Sequence, residues 1–172
     1  NSVDPKITDS LMGVNKVNWV FLETKKPNLI SSVTSLLNSQ INSERKIKLF
    51  STVSNENYEN PNISYEKLGN LSFMYPSNSA PNNSEEFIEF QNIYYDKFGK
   101  YPEKIAINSY DLIKDLLYRI SVSKSLKKSI DIGETKSIQN NFNYILEGEN
   151  GIKNISFFIL MHKDFDIIEQ EN

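Results

Sequence analysis

The first half of the chain carries three short apolar stretches separated by polar, helix-patterned or turn-rich sequence. Val17 to Thr24, VNWVFLET, is a nearly unbroken apolar run that ends in two polar residues. Such a run suits a strand buried on both faces, as in a parallel sheet covered by helices. Lys46 to Thr52, KIKLFST, alternates and predicts a second strand, and Leu71 to Ser77, LSFMYPS, predicts a third that stops at Pro76. Between the first two, Leu29, Val33, Leu36, Leu37 and Ile41 recur at helical spacing behind the start signals Pro27 and Asn28. Residues 53–62 form a polar loop, and Ile63 to Asn70 predicts a short helix. The resulting order of strand, helix, strand, short helix, strand is the alternation of a parallel sheet with right-handed crossovers.

The second half is patterned differently. Ser84 is a suitable helix N-cap, followed by Glu85 and Glu86 where the helix dipole favours acids. Phe87, Phe90, Tyr94 and Phe98 then share one face; Gly99 ends the helix, and Pro102 prevents its continuation. A second helix carries Ala106, Tyr110, Ile113, Leu117 and Ile120 on one stripe, expected to be core, with Asp115 and Arg119 spaced as an i,i+4 pair. Asp111 and Asp115 are expected on its solvated face. Glu134 to Leu146 predicts another helix through Ile138, Phe142 and Ile145, and residues 148–151, GENG, predict a turn. NISFFILMH and FDIIE predict two closing strands joined at Lys163-Asp164.

Composition narrows the function classes. The chain has 172 residues, enough for one domain with a real core. Its net charge of −3 argues against nucleic acid as a partner, because phosphate affinity rests on clustered Lys and Arg. The basic cluster from Lys124 to Lys128 is broken by serines and a leucine and reads as solvated surface. With no cysteine there is no disulfide, thiol nucleophile or thiolate metal site. No apolar run approaches the roughly 18 residues that span a bilayer, and the first ten residues have neither the basic region nor the apolar core of a signal peptide.

Catalytic signatures are absent from the pattern: no Gly-rich phosphate loop, no Gly-X-Ser-X-Gly elbow, and paired acids that read as helix-start and solvated-face residues. His162, the only histidine, is expected on a surface turn. The reading is therefore of no catalytic residues, no metal site and no cofactor. One constellation has a physical basis. In open parallel sheets, ligands sit beyond the carboxyl ends of the strands. The three predicted strands end in Glu23-Thr24, Ser51-Thr52 and Tyr75 to Ser77. Glu23, Thr24, Thr52, Tyr75 and Ser77 are the candidate ligand-binding residues: hydroxyls and a carboxylate for an amine or polyol, and Tyr75 to stack on it.

FIEFQNIYYDKFGKYPEKIAINSYDLIKDLLYRI, residues 87–120, resembles the signature region of the type 1 periplasmic-binding-protein fold, in its branched-chain amino-acid-binding branch. There a helix ends in Tyr-X-X-X-Phe-Gly, a Pro-containing break follows and a Tyr-Asp opens the next helix. Tyr94 to Gly99, Pro102 and Tyr110-Asp111 match these elements. NKVNWVFLET, RKIKLFST and LGNLSFMYPS also resemble strands of that family's second lobe, and the last stretch its closing hairpin. Divergent members from Bacteroidota carry such a domain after LysM repeats in envelope proteins.

The resemblance implies a partial binding-protein fold: a three-layer, Rossmann-like, mainly parallel sheet with helices on both faces and a C-terminal hairpin. Residues 1–172 would be one α/β domain, with 11–80 and 130–170 as lobe core and 84–122 as junction helices. It implies a non-enzymatic substrate-binding module of the periplasm or cell envelope. Such a module recognises a small polar ligand, an amino acid or peptidoglycan fragment, in an interlobe cleft that closes by a hinge. Most of the family's first lobe and the LysM repeats are missing from this sequence. The competing expectation is a degenerate binding-protein fold that serves protein–protein interaction or homodimerisation, with an exposed apolar patch where the absent lobe would pack.

Overall fold

The computed structural model describes residues 3–53, 56–149 and 151–170. They group into two compact units, residues 1–77 with 159–172 and residues 78–158. The expected lobe core of 11–80 plus 130–170 is thus divided, with residues 130–158 grouped alongside the helices of 84–122.

In the first unit, α1 (Pro5–Leu11), β1 (Lys16–Phe21), α2 (Pro27–Ser39), β2 (Arg45–Phe50), α3 (Tyr65–Asn70) and β3 (Met74–Ser77) follow one another. A 3-10 turn at Glu56–Glu59 interrupts the loop expected over 53–62. The sheet is completed by β8 (Phe158–Lys163) and β9 (Asp166–Glu169), in the order β1-β2-β3-β8-β9. Strands β1, β2 and β3 run parallel, and β8 and β9 form an antiparallel hairpin. Its two-residue turn is Asp164-Phe165, one position later than expected, with Asp164 in the left-handed region at φ 55°. Pro76 lies inside β3 rather than ending it. It sits beyond Met74, which is in register with Phe50, so its missing N–H costs no bond at that pair.

Both crossover helices lie on one face of this sheet. Ile30, Val33 and Leu37 of α2 and Leu68 of α3 form a buried cluster with Ile47, Leu49 and Phe73 from the strands. Passing from β1 to β2 to β3 moves steadily in one direction, and right-handed connections then fall on the same side. Within this unit the expected second helical layer does not cover β1, and that strand is not buried on both faces. Val17, Trp19 and Phe21 point away from the cluster and are 46%, 64% and 60% exposed. Gly69 marks a close approach within this unit: a Cβ there would lie 2.9 Å from the backbone nitrogen of Asp164.

The second unit opens with α4 (Glu85–Phe98), capped by the Ser84 hydroxyl and closed by Gly99 at φ 69°. Phe90, Tyr94 and Phe98 form a ring ladder with centroids 6.0 and 4.5 Å apart, and Phe90 also meets Tyr110 at 4.8 Å. Helix α5 (Lys104–Ser123) follows. A 3-10 stretch at Lys127–Ile132 leads into β4 (Thr135–Lys136), paired with β5 (Asn141–Phe142), and then the β6 (Tyr144–Glu147)–β7 (Gly151–Asn154) hairpin. The helix expected over Glu134–Leu146 is thus replaced by short strands. Gly133, at φ 79° and ψ −152°, adopts a conformation open essentially to glycine alone. Beyond it, the N–H groups of Ile138, Gln139 and Asn140 are taken by Asp111 instead of by a helical ladder.

Helix α5 turns its polar side inward. Asp111, Asp115 and Arg119 are at most 3% exposed, while Tyr110, Ile113, Leu117 and Ile120 are 45–63% exposed. This reverses the expected orientation: the apolar stripe is not core, and the two acids are not solvated. The expected Asp115–Arg119 pair is present, but buried.

Candidate functional site

Two sets of polar groups converge, one in each unit. The first is the border at the carboxyl ends of β1, β2 and β3, which parallel pairing brings to the same side. Glu23 Oε1 accepts the backbone N–H of Thr52 at 2.5 Å, tying the end of β1 to that of β2. Thr24 Oγ1 accepts the N–H of Lys26 at 3.2 Å, a local turn that sets the approach to α2. The buried Ser51 hydroxyl donates to Val53 O at 2.9 Å. Tyr58, from the 3-10 turn, donates its hydroxyl to Leu22 O at 3.0 Å. Burial, with the Glu23 charge adding to it, pushes the Tyr58 phenol up to about 12 against an opposing bond from Ser51. Tyr58 is thus a neutral donor that pins the end of β1.

Beside this border lies an open cavity of about 440 Å³ lined by Lys25 to Leu29 and Ser32. It sits where β1 hands over to α2. No side chain caps this helix start, and Pro27 occupies its first turn. The positive end of the helix dipole and two exposed ammonium groups favour an anion, although Pro27 has no N–H and Leu29 already donates to Lys26 O, which leaves Asn28 as the first-turn donor. The Glu23 carboxylate, two residues before Lys25, favours a cation. Both signs therefore stand along one border.

The proposed ligand-binding residues divide between rim and interior. Glu23 and Thr52 are joined directly, and Thr24 shapes the loop. Ser77 ends β3 on the same border. Tyr75 does not stand clear for stacking: it packs on the buried cluster, with its ring 5.3 Å from Phe73 and 6.0 Å from His162. Lys25, Lys26 and Tyr58 had no assigned role in the sequence pattern. The first two were legible, since they follow an apolar strand and precede a helix.

His162 is a correction. It lies within β8, 3% exposed, among the rings of Tyr65, Phe73 and Tyr75, and its Nδ1 has no hydrogen-bond partner among the described residues. Burial lowers its pKa to about 4, so it is a neutral core aromatic at pH 7. A turn signal directly after it, Lys163-Asp164, made the strand end look like a surface turn.

The second convergence is built on α5. Arg119 Nε donates to both oxygens of Asp115, at 3.0 and 2.9 Å. Its Nη1 donates to Ser129 O at 2.9 Å, and its Nη2 to Gly133 O at 2.9 Å, Thr135 Oγ1 at 3.0 Å and Phe142 O at 2.7 Å. The Thr135 hydroxyl donates to Asp115, and the guanidinium lies 4.7 Å over the Tyr144 ring. One turn earlier, Asp111 accepts three successive backbone N–H groups and the Asn140 amide, whose Nδ2 also reaches Asn108. These carboxylates and the guanidinium are fully engaged in holding residues 129–142 against the helix. Nothing in this set is left to meet a substrate.

No family model, no curated protein and no solved structure matches the chain. Among the described residues no group of three His, Asp or Glu side chains is placed to hold a metal ion. Nor is any helix long and apolar enough to cross a membrane.

Proposed function

We propose that the chain is a non-enzymatic binding module that holds a small polar ligand on the border of its parallel strands. The ligand class is an amino acid or a peptidoglycan fragment, whose carboxylate would meet the α2 start with Lys25 and Lys26, and whose ammonium would meet Glu23. The observation that carries this reading is the Glu23 carboxylate, tied to the end of β2 through the Thr52 N–H, standing with the Lys25 and Lys26 ammonium groups at the carboxyl end of β1 beside a 440 Å³ cavity. The likeness of residues 87–120 to the type 1 periplasmic-binding-protein signature supports it, and with it a setting in a bacterial envelope as part of the same proposal. Titration calorimetry and thermal shift with free amino acids and soluble muropeptides test it. Heat of binding that is lost in Glu23→Gln and in Lys25→Ala/Lys26→Ala supports the proposal. No heat and no shift across both panels refutes it.

A second reading has its own observation. The outward stripe of α5, with Ile113 and Leu117 more than half exposed, favours a protein-interaction domain that has kept the fold and lost the ligand. A strict monomer that binds a muropeptide would decide against it.

A further inference from the structure

We infer that β1 is an open sheet edge that pairs with β1 of a second copy of this chain, antiparallel, about a twofold axis at Trp19. This inference is independent of the ligand proposed above. Strand β1 ends the five-stranded sheet, and among the described residues its six positions pair with β2 alone. Leu22 donates its N–H to Phe50 O, so by the alternation of a parallel ladder the N–H and C=O groups of Val17, Trp19 and Phe21 face outward. An edge of this kind is a template for another strand unless something blunts it. Here no proline, bulge or charge interrupts Val17 to Phe21.

The occupant follows from register. Antiparallel partners share a sheet face only when their residue numbers sum to an even value, and a twofold at Trp19 sets Val17 against Phe21, Asn18 against Val20, and Trp19 against its own copy. The outward-facing backbone groups then close about six hydrogen bonds between copies. The apolar face becomes continuous, because Val17, Trp19 and Phe21 lie on one side, with Phe50 stacked between the last two at 4.9 and 5.2 Å. The cations on that face, Lys46 and Lys48, are one strand further in, opposite Val17 and Trp19 of their own copy, so no like charges meet across the axis. A generic apolar partner would not need this register; the β1 sequence satisfies it with itself.

Trp19 is the only tryptophan and reports on the contact directly. Sedimentation equilibrium and intrinsic fluorescence of the full chain, from about 1 to 500 µM, are the tests. The expected result is a monomer–dimer equilibrium in the micromolar range, as suits a small interface. The emission should shift to the blue in step with the dimer fraction. Phe21→Pro removes an outward N–H and no β2 bond, so it should weaken association at least tenfold with unchanged circular dichroism. Trp19→Lys, which sets like charges on the axis, should do the same. Leu117→Lys, on the outward stripe of α5, should leave the equilibrium unchanged. A monomer across the range, open-ended polymer, or a dimer that survives Phe21→Pro and Trp19→Lys but not Leu117→Lys overturns the inference.

Discussion

Arg119→Met is the perturbation that most directly tests how the second unit is held together. The guanidinium is fully buried and makes every one of its bonds to protein: two to Asp115, one to Thr135, and one each to the carbonyls of Ser129, Gly133 and Phe142. Methionine matches its bulk and none of its donors. Removing one partner of a buried ion pair leaves the other charge uncompensated and costs about 3–5 kcal/mol. Three carbonyls would lose a donor as well, at roughly 1–3 kcal/mol for each one left unsatisfied. Small domains are stable by about 5–15 kcal/mol, so this variant should leave the unit marginal at 25 °C.

Urea unfolding followed by far-ultraviolet circular dichroism measures the loss, with Trp19 emission as a separate probe in the first unit. The double variant Asp115→Leu/Arg119→Met removes the stranded carboxylate and should regain part of the loss, a positive coupling of about 2 kcal/mol or more in a mutant cycle. Arg119→Lys should fare little better than methionine, because a point charge with three donors cannot reproduce the planar fork. A midpoint for Arg119→Met within 1 kcal/mol of the parent, at unchanged denaturant slope, would refute the argument that this network holds the segment.

Three further outcomes follow from the first unit. His162 titrates near 4 when folded and near 6.5 when unfolded, so stability is full above pH 6.5 and falls as the pH drops toward 4, by up to about 3 kcal/mol at 1.4 kcal/mol per unit. Urea midpoints at pH 7 and 4.5 check this, and His162→Phe should flatten the dependence, while an unchanged slope in that variant assigns it elsewhere. Gly69→Ala should cost about 1–3 kcal/mol, since its Cβ meets the Asp164 backbone and not a movable side chain; a neutral thermal midpoint would contradict the close approach. Tyr58→Phe should cost about 1 kcal/mol by removing the donor to Leu22 O, read from the same melts.

Much of the chain was legible where its signals are local and mutually consistent. Pro27 ahead of a helical stripe, Ser84 as a cap and Gly99 as a stop all act within a turn of where they stand, and each element they bound is present. The parallel order of β1, β2 and β3 followed from alternation with helices, and it carried the border of Glu23, Thr24, Thr52 and Ser77 with it. Three readings failed where a distant partner overrode the local pattern. Residues 134–146 have helical spacing, but Asp111, more than 20 residues earlier, captures their backbone. His162 lies one residue before a turn signal and is drawn into the core by Phe73, whose carbonyl accepts its N–H at 2.8 Å. Tyr75 is at a strand end by sequence, yet its ring packs inward.

The reversal of α5 has a cause in the segment it faces. Between Ser125 and Asn143 the chain has only a 3-10 stretch and two-residue strands, so few of its N–H and C=O groups can pair within a ladder. Buried backbone groups must be satisfied by something, and side chains on a rigid helix are the nearest source. Asp111 supplies acceptors for N–H groups and Arg119 supplies donors for carbonyls, with Asp115 holding the guanidinium in place between them. A helix can offer one inward face, and here that face is occupied by the polar stripe. The apolar stripe is therefore outward because of the segment's hydrogen-bond needs, not because those residues prefer water. Buried apolar side chains in this unit are few, chiefly Phe87, Ile107, Phe142 and Phe158. Its order rests on hydrogen-bond geometry more than on apolar area, and any partner that covers Ile113 and Leu117 would add the hydrophobic term that the unit by itself leaves exposed.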